Sequence, residues 1–138
     1  MSLVLDTGPI VALLNAGDPD HQRCAQLISD TDEDLVIPAP VLVEVDYWCR
    51  KLLGLEALEV LVDDIAAGAY RWFELGPEEN RRVIELEQKY RDLDLGYVDA
   101  AVIATCEYLD EDRVVTLDRL HIGTVRPGHR PFLRLIPE

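Results

Sequence analysis

Short apolar runs alternate with longer amphipathic stretches along this chain of 138 residues. Brief runs rich in Val, Ile and Leu between turn formers predict buried strands, and apolar positions recurring three and four apart predict helices. On that basis strands are expected over 2–6, 35–37, 70–75, 113–117 and 132–136. One helix is expected from near Pro9, where a fixed φ suits a first turn, and others over 21–30, 41–53, 56–67, 77–90 and 97–109. Gly54 and Gly68 are placed to end helices, and Pro38 and Pro40 to end a strand. The segment Asn15-Ala-Gly-Asp-Pro-Asp is a turn cluster. Strands alternating with helices predict an α/β fold with a mostly parallel sheet, one domain spanning 1–138. In such sheets, sites form beyond the carboxyl ends of the strands.

Four acids break the apolar pattern. Asp6 ends Leu-Val-Leu, Glu44 lies within Val-Leu-Val-Glu-Val, Asp99 within Gly-Tyr-Val-Asp-Ala-Ala, and Asp118 ends Val-Val-Thr-Leu. A lone buried carboxylate is costly, and several together repel unless a cation offsets them. An all-oxygen acidic set suits hard divalent cations, Mg2+ or Mn2+, which also bind phosphate oxygens. Each acid also has a plainer reading. Asp6 could be the N-cap of the first helix, a role Thr7 could share. Glu44 flanks an expected inward stripe of Val41, Val45, Trp48 and Leu52, and could be a boundary glutamate; Asp46 falls on the far side. Asp99 could serve the helix dipole, and Asp118 a turn. Asp6 and Asp118 both stand at expected strand ends, so the set as a whole points to a metal-dependent phosphodiesterase. Thr7, Thr116 and Arg119 are candidates for orienting substrate or water. Asp92 and Asp94 read as loop acids, and His21, His121 and His129 as surface or packing residues.

Charge narrows the function classes. A net charge of -14 argues against nucleic-acid binding by a simple basic footprint. Residues 113–138 nonetheless hold five arginines against two acids. That tail is either a local phosphate-binding strip or merely an Arg-rich terminus. Cys24, Cys49 and Cys106 are odd in number and widely spaced, as expected of apolar core residues in a reducing compartment. No signal peptide or membrane span is evident, so a cytoplasmic protein is expected. The leucines at 52, 53, 55, 58 and 61 fit either core packing or a docking groove. A phosphatase or phosphoacceptor with an Asp nucleophile would want a lysine at the pocket, and Lys51 and Lys89 are not at strand ends.

The sequence resembles the PIN-domain ribonucleases, and within them the VapC-type toxins of toxin–antitoxin pairs. The resemblance rests on Leu-Asp-Thr-Gly-Pro-Ile (5–10), Pro-Val-Leu-Val-Glu-Val (40–45), the stretch 90–104 centred on Gly-Tyr-Val-Asp-Ala-Ala, and Thr-Leu-Asp-Arg-Leu-His (116–121). It covers nearly the whole chain in order. Family members often carry an aromatic after the last stretch, where this chain has Ile122. The resemblance implies a three-layer α/β/α sandwich with a short, mostly parallel central sheet, and RNA cleavage with Mg2+ or Mn2+. Asp6 and Asp99 would be the main metal ligands, with Glu44 and Asp118 completing the pocket directly or through water. It also implies a homodimer and a cognate antitoxin. The alternatives are a catalytically silent nucleic-acid or protein-binding module, or another metal-dependent phosphohydrolase.

Overall fold

The computed structural model describes residues 1–138. The order along the chain is β1 (Ser2–Leu5), α1 (Thr7–Leu14), α2 (His21–Asp30), β2 (Asp34–Pro38), α3 (Ala39–Leu52), α4 (Leu55–Ala66), β3 (Arg71–Phe73), α5 (Pro77–Lys89), α6 (Tyr97–Leu109), β4 (Arg113–Val115), α7 (His121–Thr124) and β5 (Arg134–Ile136). The five strands form one sheet in the order β3-β2-β1-β4-β5. Every pairing is parallel. The sheet is thus wholly parallel, a stricter arrangement than the mostly parallel one expected.

From β1 the connections run outward through β2 to β3, then return across β1 to β4 and on to β5. Right-handed crossovers in opposite directions put helices on both faces, giving the α/β/α layering. The sheet is therefore apolar throughout. All four residues of β1 are buried, and Val36, Ile37, Val114 and Val115 are fully so. The reversal between β1 and β4 is the switch point at which parallel sheets open a crevice.

Two helices set the geometry of that crevice. In α6 every residue from Ala100 to Cys106 is buried, as befits a helix apolar all round. Small side chains there let it pack close, and the buried Thr105 hydroxyl donates to the Ala101 carbonyl at 2.7 Å. In α3 the inward stripe is Val41, Val45 and Cys49, each fully buried. This corrects the expected stripe, because Trp48 and Leu52 are exposed. Both phases fit Val41 and Val45. The small Cys49 continues inward, and the bulky Trp48 turns outward beside Glu44.

Other differences are at element ends. Strands β3, β4 and β5 are each three residues, shorter than expected, as the chain leaves the sheet to form loops. Helix α7 and the 3-10 turn Arg91–Leu93 are too short to show a period. Gly54 and Gly68 do end helices, at φ 101 and 88, where a side chain would strain the backbone. The leucine run divides: Leu61 is core, Leu53 and Leu58 pack against it, and Leu52 and Leu55 are exposed. All three cysteines are free and buried. No helix is long and apolar enough to cross a membrane.

Candidate active site

Asp6 follows the last residue of β1 and caps α1. Its Oδ1 accepts from the Thr7 backbone N–H at 2.8 Å, and its Oδ2 from the Thr116 hydroxyl at 2.7 Å. The cap of α1 and a tie to the segment after β4 therefore coincide on one side chain. Thr7 then reaches across to α3, its hydroxyl donating to Glu44 Oε1 at 2.7 Å. Thr116, just past β4, also accepts from the Asp118 backbone N–H at 3.0 Å. Two threonines thus tie Asp6, Glu44 and the Asp118 turn into one network. Thr116 orients Asp6 directly, and Asp118 only through its backbone.

Asp99 arrives from the first turn of α6. Asp6, Thr7, Glu44, Asp99 and Asp118 line one cavity of about 640 Å³, with Gly8, Val11, Trp48, Leu52 and Leu117 as its walls. Asp18, from the α1–α2 turn, joins them. It was not singled out in the sequence, where it sits in an ordinary turn cluster. It also accepts from the Asp20 backbone N–H at 2.8 Å, so a turn role accounts for it.

The electrostatics are those of a site short of positive charge. Burial pushes Asp6 up to about 6; the Thr116 and Thr7 hydrogen bonds oppose this, and Asp99 and Glu44 add to it. Burial also raises Asp99, and Asp118 and Glu44 reinforce that, while His121 and the Gly96 N–H pull it down. No lysine or arginine lines the cavity.

His121 is the residue that sequence reasoning missed. Its backbone N–H donates to Asp118 Oδ1, and its ring Nδ1 lies against Oδ2, both at 2.9 Å. A ring nitrogen of His121 and carboxylate oxygens of Asp99 and Asp118 all fall within 4.8 Å of one another. Burial lowers the His121 pKa, but the Asp118 hydrogen bond and the charges of Asp118, Asp99 and Asp94 outweigh it, so the net shift is upward. The available signal was the spacing, a histidine three after a candidate acid. Arg119 goes the other way. Its guanidinium donates to the Pro137 carbonyl at 2.9 Å, and it does not line the cavity. Other tail arginines are also engaged: Arg113 pairs with Glu33, and Arg130 with Asp110 at 2.9 Å. A continuous phosphate-binding strip is not formed. Asp92 is in the 3-10 turn Arg91–Leu93 and Asp94 directly follows it, both exposed.

The donor set fits a divalent cation. It offers carboxylate oxygens and one imidazole, two of its acids have raised pKa values, and it has no internal ammonium or guanidinium to offset them.

The chain matches the PIN domain family over residues 3–122. It is 28% identical over 125 residues to Ribonuclease VapC26 of Mycobacterium tuberculosis, covering 91% of this chain and 93% of that protein. Among solved structures it resembles the sarcin-ricin-loop-cleaving toxin VapC20 of M. tuberculosis, with TM-score 0.78 and 19% identity over 85% of this chain and 90% of that one. It also resembles VapBC2 of Rickettsia felis, solved bound to a promoter DNA fragment, with TM-score 0.69 and 17% identity over 98% of both chains. A toxin–antitoxin complex from Klebsiella pneumoniae gives TM-score 0.68 and 16% identity over 96% of this chain and 99% of that one. At such identities the structural likeness speaks to fold.

Proposed function

The chain belongs to the PIN-domain family, and from that footing we propose that it is a divalent-metal-dependent endoribonuclease acting as the toxin of a toxin–antitoxin pair. The observation that carries this reading is the gathering of Asp6, Glu44, Asp99 and Asp118 around one cavity beside the β1–β4 switch point. The relative named as a ribonuclease supports the reaction, and the neighbours solved as toxin–antitoxin assemblies support the partner.

Asp6 and Asp99 would hold Mg2+ or Mn2+, and Glu44 and Asp118 would complete the set directly or through water. A divalent cation supplies a water of lowered pKa and charge stabilisation on the phosphate oxygens. The protein's own work is positioning. Thr116 and the Thr7 N–H fix both oxygens of Asp6, and the Thr7 hydroxyl holds Glu44. The acidic lining repels a polyanion, so cation binding precedes or accompanies RNA. The setting is the cytoplasm, and the functional unit is a homodimer bound by its antitoxin. The purified chain is expected to cleave RNA with Mg2+ or Mn2+ and to stop in excess chelator. Undiminished cleavage in chelator, with contaminating nucleases excluded, would overturn the reading.

A further inference from the structure

We propose that Trp48 is a substrate-binding residue, its indole face stacking against an unpaired RNA base beside the phosphate to be cleaved. The inference rests on the ribonuclease reading above and concerns how the cavity holds an RNA strand.

Trp48 lies four residues after Glu44 on α3, so the two side chains leave the helix on the same side, about 6 Å apart along its axis. Both line the cavity that holds Asp6, Asp99 and Asp118. The inward stripe of α3 passes through Val45 and Cys49, which leaves Trp48 40% exposed at the cavity wall. Tyr47 packs against the indole at right angles, with ring centroids 5.1 Å apart and planes at 87°. Tyr47 is itself braced by Lys51, whose ammonium donates to the phenol oxygen at 3.0 Å. An aromatic pair in this arrangement limits the rotamers open to Trp48, so little ordering remains when a base stacks on it. Trp72, the other tryptophan, is on the edge strand β3, gives its indole N–H to Glu74 at 2.9 Å and does not line the cavity.

Charge explains why a stacking surface belongs here. Affinity for nucleic acid ordinarily comes from lysines and arginines placed on phosphates. This chain has a net charge of -14 and no lysine or arginine in the cavity lining. Beyond the phosphate that a cation offsets at the acids, an RNA strand in the cavity meets no positive charge. Bases are the uncharged part of that strand, and an aromatic face holds them whatever their identity. An unpaired base can reach such a face, whereas a base stacked within a duplex cannot. The wall beside Trp48 is apolar, with Leu52 and Leu117, which favours a base over a phosphate at this end of the cavity.

The test uses the full chain with Trp72→Phe, which leaves Trp48 as the sole tryptophan reporter, in the presence of Mg2+. Stopped-flow mixing with a short unstructured RNA of mixed sequence should quench its fluorescence, because stacking on a base quenches indole emission. Inorganic polyphosphate, which has the charge but no bases, should leave the emission unchanged. In cleavage assays Trp48→Leu keeps an apolar side chain but no aromatic face, and should raise KM about tenfold with a smaller change in kcat. Trp48→Phe should recover most of that loss, and both variants should melt close to the parent. Emission that RNA leaves unchanged, equal quenching by RNA and polyphosphate, or a parental KM in Trp48→Leu overturns this inference alone. In the last case the indole is a wall kept for a protein partner and not for RNA. If the parent cleaves no RNA in either Mg2+ or Mn2+, the ribonuclease reading falls, and this inference with it.

Discussion

Two hydroxyls, on Thr7 and Thr116, determine how the acids stand, since each bridges residues from different elements. Their partners were legible only in part. Glu44 could be found because it interrupts an apolar run on a helix flank. The Asp118–His121 contact was harder to see, because residues were weighed singly and the short α7 has no periodicity. Arg119 is the opposite case: being adjacent to Asp118 in sequence says nothing of where a long side chain ends, and its guanidinium is bonded to the Pro137 carbonyl. Glu44→Gln should cut RNA cleavage at least about tenfold, since it removes a charge at the cavity. Asp46→Asn should be nearly silent, because Asp46 is in a surface pair with Arg50 at 3.2 Å. Equal losses in the cleavage assay would show that α3 faces the site differently. Asp6 gives a pH prediction. Its folded pKa, about 6, exceeds the ordinary 3.8, so between these values the folded state holds the extra proton. Its favourable contribution is fully present below about 3.8 and is lost as pH rises through about 6. Ionised Asp6 then costs roughly 3 kcal/mol in the metal-free protein. Thermal melts in chelator from pH 4 to 7 should show the parent losing stability relative to Asp6→Asn over that window. Parallel curves would mean that Asp6 is not strained by its burial.

At the scale of elements, the site is a product of strand order. Asp6 and Thr116 meet because β1 and β4 are parallel neighbours, on either side of the point where the strand order reverses. The sequence could place both residues near strand ends but could not show that these two strands pair. That depends on which crossovers go left and right, not on local pattern. Strand ends were overextended for a related reason. Leu117 is as apolar as a strand residue yet lines the cavity after β4 has ended. Helix α3 joins the core to the site, with Val41, Val45 and Cys49 on one stripe and Glu44, Trp48 and Leu52 on the next. Its rotational phase is open to a paired test. Val45→Ala empties part of a fully buried position and should cost about 2 kcal/mol, whereas Val43→Ala, at 71% exposure, should cost little. Urea denaturation of both variants reads this directly. Similar midpoints would mean that the helix is rotated from the description above, and Glu44 would leave the site with it.

Taken as a whole, the molecule carries -14 charges and five acids around one cavity, so it is not built to attract RNA through a general basic surface. Its tail arginines are largely occupied by its own acids and carbonyls. Cation binding and a basic protein partner are the complementary ways of offsetting such a charge, which agrees with the proposed metal and antitoxin. With the proposed metal, these acids are held close at a cost in folding stability that a divalent cation relieves. Asp99→Asn tests it most directly, in melts with and without Mn2+ alongside a cleavage assay. Removing one charge relieves repulsion, so the metal-free variant should melt no lower than the parent. Mn2+ should raise the parent's melting temperature more than the variant's, and the variant should not cleave RNA. A variant that unfolds readily, together with a parent whose melting temperature ignores Mn2+, would make Asp99 a structural residue and contradict the account.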